Sequence, residues 1–183
     1  MELARPLADR VVVARRGRGA QLNVAARAAS HDLLMFVHVD TELPPDAFDA
    51  ARAALARPGV VGGAFQVAIR DPRRRYRVIE WGANLRARVT RLQWGDQAVF
   101  TSRAVGLLNS AASPEDAIPE DVAFARRLAL GRVALLPQQV RNSPRRWERE
   151  GLVYATVRNW VITLLYAAGV PAARLARWYP AVR

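Results

Sequence analysis

Asp40 stands in His38-Val39-Asp40-Thr41, directly after the most apolar short run of the chain and just before Pro44-Pro45. A carboxylate leaving a buried strand faces a crevice and could hold a hard divalent cation, with diphosphate oxygens completing the shell. Equally, Asp40 could start a turn or cap the helix that follows Pro44. His38 alternates with Asp40 and reads either as a second ligand or as a core histidine. Glu120-Asp121 opens an amphipathic stretch. Its carboxylates suit a general base on an acceptor hydroxyl, or simply the favourable end of a helix dipole. Gly95-Asp96-Gln97 precedes a short strand and reads as a turn or as a substrate contact. Three arginines between Arg15 and Gly19 lie just before a helix start, a place that favours phosphate. Their spacing matches neither a P-loop nor a dinucleotide fingerprint. Arg145-Arg146-Trp147 joins fixed cations to an aromatic plane, able to brace a diphosphate or to form a solvated edge.

Composition removes several other chemistries. There is no cysteine, which excludes disulfides, thiolate metal sites and cysteine nucleophiles. Only His31 and His38 exist, too few for a multi-histidine metal centre. No GxSxG elbow is present. At 51% hydrophobic and 24% charged residues, the 183-residue chain is an ordinary globular protein and fits one domain over 1–183. All 28 basic residues are arginine, against 16 acidic ones, for a net charge of +12. Heavy alanine use alongside arginine points to a GC-rich coding sequence more than to a nucleic-acid partner. No basic stripe interleaved with aromatics is present, so nucleic acid is not the expected ligand. The N-terminus lacks the build of a signal peptide and no apolar run reaches membrane-spanning length, so a cytoplasmic location is expected.

The elements that must position these residues follow from periodicity. Val11–Ala14, Leu33–Val37, Val60–Ile69, Gln93–Phe100 and Val133–Val140 read as strands. Helices are expected over Ala20–Ser30, after Pro44 with Phe48, Ala51 and Leu55 inward, and after Pro72 with Val78, Trp81, Leu85 and Val89 on the buried stripe. Others are expected from Glu120 to Leu130, from Trp147 to Ala168 and after Pro171. Gly62-Gly63 within a strand suggests a close backbone approach. Strand alternating with helix, without repeat or linker, is an α/β domain. Such sheets place ligands at the carboxyl ends of their strands, where Asp40 falls.

Read in order, six segments resemble one known family. They are Gly17-Arg18-Gly19-Ala20-Gln21-Leu22-Asn23, Leu34 through Pro44, Ile79-Glu80-Trp81-Gly82-Ala83-Asn84, Gly95 through Phe100, Glu120-Asp121-Val122 and Arg145-Arg146-Trp147-Glu148. Together they resemble the family 2 glycosyltransferases, and within them the bacterial subgroup of selenodomain-associated transferase 2. The resemblance implies a GT-A-like, Rossmann-like fold: a mostly parallel sheet with helices on both faces, and C-terminal helices over 146–183. It implies metal-dependent, inverting transfer of a sugar from a nucleotide-diphosphate donor to an acceptor hydroxyl. Asp40, with His38, would hold Mn²⁺ or Mg²⁺ at the place of the family's DxD motif. Arg18, Gln21, Asn23, Arg146 and Trp147 would bind the donor. Asp96, Gln97 and Glu120 would face the acceptor, and Asp121 would be the catalytic base.

The chain also departs from the family's pattern. Ser143 stands where related members carry glutamine, and Asn109 through Pro114 replace a Gly-Gly-Phe turn. The first strands of the family's nucleotide pocket have no counterpart here, so an N-terminally truncated sheet with an uncovered edge is expected. On that ground the rival reading is a catalytically inactive remnant that binds an acidic partner or a membrane surface through its arginines. Activity is expected once the missing start is supplied. Leu152–Val170 reads either as a core helix or as an interfacial helix at the inner face of the membrane, its flanks carrying Trp160, Trp178 and arginines at 158, 174, 177 and 183. An interfacial helix would suit a lipid-linked acceptor.

Overall fold

The computed structural model describes residues 4–15, 18–90, 94–111, 131–170, 172–175 and 178. The helix expected from Glu120 to Leu130 lies outside them. Five strands form one sheet: β1 Leu33–Phe36, β2 Thr41–Glu42, β3 Val60–Ile69, β4 Val99–Ser102 and β5 Arg132–Asn142, in the order β1-β4-β3-β5-β2. The helices are α1 Arg18–Ala28, α2 Ala47–Leu55, α3 Arg74–Thr90, α4 Arg103–Ala111, α5 Arg145–Glu150, α6 Leu152–Ala167 and α7 Ala172–Leu175.

The sheet is mixed and mostly antiparallel, which corrects the expected mostly parallel one. Only β3 and β5 run parallel; β1 with β4, β4 with β3 and β5 with β2 are antiparallel. Apolar runs report burial on two faces, but they do not encode strand direction. Val11–Ala14 forms neither strand nor helix, and Val12 and Val13 are exposed. Among the described residues no strand pairs with it, and an apolar run without a pairing neighbour leaves its backbone groups to solvent.

Neighbouring residues of β3 and β4 point to opposite faces. Phe65 and Phe100, with ring centroids 5.6 Å apart, build one core with Leu136, Val140 and the alanines Ala47, Ala51 and Ala54 of α2. The small side chains let α2 lie close to the sheet, and Phe48, expected inward, is exposed. Ala64 and Val99 face the other way, onto Val61, Val105 and Val133. Gly63 is required here: a Cβ on it would stand 2.3 Å from the Ala134 carbonyl and 2.5 Å from the Phe100 ring.

The buried stripe expected on α3 is reversed. Val78, Trp81, Leu85 and Val89 are exposed, while Tyr76, Glu80, Arg86 and Ala87 are buried. β4 pairs with β3 only at Gly62 and Gly63, which leaves the rest of that β3 edge without a strand partner among the described residues. Side chains take its place. Gln97 Nε2 donates to the Phe65 carbonyl at 3.1 Å. Asn84 accepts from Val67 N–H at 2.8 Å and donates to the Val67 carbonyl at 3.0 Å. Glu80 accepts from Ile69 N–H at 2.5 Å. Buried backbone groups must find partners, so the polar face of α3 turns inward and its apolar face outward.

The expected helix 147–168 is two helices. Gly151, at φ +84°, separates α5 from α6 in a conformation that glycine adopts without strain. Along α6, Val153, Tyr154, Val157, Trp160, Val161 and Leu164 are exposed and Ala155, Arg158, Ile162 and Thr163 are buried. Arg158 Nη2 is hydrogen-bonded to Glu150 at 2.6 Å, which withdraws this arginine from the role that the interfacial alternative would give it. Among the described residues no helix is long and apolar enough to cross a membrane.

Candidate active site

The loop after β1, the one-turn 3₁₀ helix Gly95–Gln97, the end of β5 and helix α5 meet around a cleft of about 430 Å³. Gln21, His38, Asp40, Asp96, Arg146 and Trp147, each singled out from the sequence, line it together. β1 ends at Phe36, so His38 and Asp40 sit in the following loop and turn rather than on the strand itself. The His38 carbonyl accepts from Thr41 N–H at 3.1 Å, closing that turn.

One residue that the sequence reading passed over assembles the site. Asn142, 6% exposed at the end of β5, accepts from Thr41 Oγ1 at 2.5 Å and donates to the Asp96 carbonyl at 2.7 Å. A single amide therefore joins the Asp40 turn to the 95–97 turn. Arg145, named in the sequence with Arg146 and Trp147 as a possible diphosphate brace, makes a contact that the sequence did not indicate. Its Nη2 stands 3.9 Å from Asp40 Oδ2 across the cleft. Trp147 is held edge-on against Tyr76, with centroids 6.3 Å apart. Arg73 reaches from the start of α3 to Glu148 at 2.8 Å and also grips Asp71. That grip holds the Asp71 carboxyl well below the usual carboxylate range, at about 2.

Other expected residues fall elsewhere. Gln97 does not line the cleft: it is fully buried, with Oε1 accepting from Trp94 N–H at 3.1 Å and Nε2 committed to Phe65. It shapes the turn that presents Asp96. Ala98 follows at φ +47°, a left-handed conformation uncommon for alanine and held by this packing. Asn23 is buried at 5% exposure and is not among the residues that line the cleft. The Arg18 side chain, Glu120 and Asp121 lie outside the described residues.

Two carboxylates dominate the electrostatics. Asp40 is partly exposed, and Asp96 has a buried Oδ1 with no hydrogen-bond partner among the described residues. A buried carboxylate oxygen left unpartnered is costly unless a donor or cation completes it. Hard carboxylate oxygens of this kind suit Mg²⁺ or Mn²⁺. No three His, Asp or Glu side chains converge among the described residues. Protein ligands drawn from them would be few, and phosphate oxygens of a bound donor would fill the remaining positions. Beneath the turn, burial pushes the pKa of the Arg86 guanidinium down, and the nearby Asp96 charge partly offsets this.

The mixed α/β sheet thus gathers two carboxylates, arginines and a tryptophan around one cleft. The family described as Glycosyl transferase family 2 matches residues 5–112, more than half of the chain, and the chain belongs to that family. The matched segment contains Gln21, His38, Asp40 and Asp96; Asn142 and the residues of α5 lie beyond it. No curated protein and no solved structure matches the chain.

Proposed function

We propose that this glycosyltransferase moves a sugar from a nucleotide-diphosphate donor to an acceptor hydroxyl by single displacement with inversion, as the selenodomain-associated subgroup it resembles would. The observation that carries this reading is the convergence of Asp40 and the unpartnered Asp96 Oδ1 with Arg145, Arg146 and Trp147 around one cleft. Asp40, assisted by His38 or Asp96, would hold a divalent cation. Bound there, such a cation would supply charge stabilisation for the leaving diphosphate. Arg146 offers a fixed fork of donors to the same phosphates, and the Trp147 plane walls the donor's side of the cleft. Gln21, exposed in the first turn of α1 and lining the cleft, would contact the donor. Asp121 is assigned to take the proton from the acceptor hydroxyl as that oxygen attacks the anomeric carbon, with Glu120 beside it.

Calorimetry with a panel of nucleoside-diphosphate sugars, with and without manganese, tests this. Asp40→Asn should abolish the manganese-dependent part of donor binding. Asp121→Asn should leave binding intact and lower turnover by roughly 10²- to 10⁴-fold. Failure of every donor to bind would instead favour a non-catalytic binding module.

A further inference from the structure

A second hollow, of about 390 Å³, runs between α3 and α6 and opens into the cleft, sharing Trp94, Asp96, Trp147 and Asn159 with it. Its walls are apolar. Val78 and Trp81 come from α3 and Val153, Val157 and Trp160 from α6, all largely exposed to solvent. A contiguous apolar surface of this kind marks a place where something binds. Its floor is not apolar. Arg86 is 8% exposed, its guanidinium lies 4.4 Å from the centre of the Trp94 ring, and its Nη1 has no hydrogen-bond partner among the described residues.

A guanidinium stays charged even in such a place, and a buried cation is normally paired or hydrogen-bonded. Asp96 acts on Arg86 through space without bonding to it. The unmet demand is for one anionic group, delivered by a molecule whose remainder is apolar. A second negative charge would meet Asp96, so the site favours a singly anionic head. We propose that the hollow is the acceptor site and takes an anionic amphiphile: an aliphatic body between α3 and α6, and a phosphate or carboxylate on Arg86. The head then lies at the junction with the donor cleft. Naming that molecule the acceptor rests on the transferase reading; its binding does not.

The test uses the whole chain and three probes below their micellar range: dodecyl phosphate, dodecanoate and dodecanol. Four of the five tryptophans line the hollow, so intrinsic fluorescence reports occupancy. At least one anionic probe should bind saturably, about tenfold or more tighter than dodecanol, and Arg86→Met should erase that preference while leaving dodecanol binding unchanged. The two anionic arms separate a phosphate from a carboxylate head. Val157→Asp, on the exposed wall, should weaken all three probes and serves where Arg86→Met fails to fold. Equal binding of the three probes to the wild type, no saturable signal, or insensitivity to Val157→Asp would overturn the proposal. So would a dimer in sedimentation velocity that Val157→Asp dissolves without any amphiphile bound. Donor calorimetry on the same samples distinguishes these failures from failure of the transferase reading.

Discussion

Arg145 Nη2 faces Asp40 Oδ2 at 3.9 Å, so the carboxylate proposed to hold a cation already has an arginine for company. Both side chains are about half exposed, and a pair of this kind is worth roughly 0–1 kcal/mol. A divalent cation reaching Asp40 would have to displace the guanidinium, which would then be free to turn to a bound diphosphate. Arg145→Gln should therefore tighten manganese binding to the donor-free protein, by about two- to fivefold. The same change should weaken binding of a nucleoside diphosphate. Titration of free manganese by electron paramagnetic resonance gives the first number and calorimetry the second. A loss of manganese affinity in this variant would contradict the displacement.

Asn142 supplies the second prediction, because its amide is shared between Thr41 and Asp96. Asn142→Leu removes both bonds and leaves the partly buried Asp96 carbonyl without its donor, at a cost of roughly 1–3 kcal/mol. It should also let the Asp40 and Asp96 turns move apart. The expected outcome is a lower melting temperature together with weaker manganese binding. Thr41→Val loses one bond only and should sit between the variant and the wild type in both measurements.

The inverted helix α3 gives a sharper contrast. Asn84→Leu is apolar and close in size, yet it would strip both the N–H and the carbonyl of Val67 of their partners. Denaturant unfolding should show a loss of about 2–5 kcal/mol. Val89→Thr, on the stripe that sequence periodicity would bury, should change stability by less than about 0.5 kcal/mol because that residue faces solvent. Comparable losses in the two variants would mean that α3 packs the other way round.

That contrast also marks what could be read from residue order. Val60–Ile69 is legible as a strand and is one from end to end, because a long apolar run has few other uses. The gathering of His38, Asp40, Asp96, Arg146 and Trp147 was foreseeable once the segments were compared with a known family. The orientation of α3 was not. Hydrophobic periodicity assumes that the apolar stripe seeks the core, whereas here Glu80 and Asn84 are drawn inward by backbone groups of β3 that lack a neighbouring strand. Asn142 escaped for a related reason. It is one amide at a strand end, and its bond to Thr41 spans 101 residues, a separation that no local pattern encodes. The antiparallel pairings are equally silent in an apolar run.

Acid should loosen the cleft by way of Asp71. Hydrogen bonding to Arg73, first of all, holds the Asp71 carboxyl at about 2, and Arg73 in turn binds Glu148 on the helix that carries Arg145, Arg146 and Trp147. The folded-state value lies below the unfolded one of about 3.9. The contribution of Asp71 to stability is therefore complete at neutral pH, begins to fall as the pH drops below about 4 and is gone once it has passed about 2. Asp71→Asn lacks that dependence. The stability difference between wild type and Asp71→Asn should be flat from pH 7 to about 5 and then shrink steadily with acidification, as thermal melts across the range would show. Tryptophan emission, with Trp147 packed edge-on against Tyr76, should move over the same interval in the wild type. A difference that grows as the pH falls would have the wrong sign, and would place the controlling carboxylate elsewhere than at Asp71.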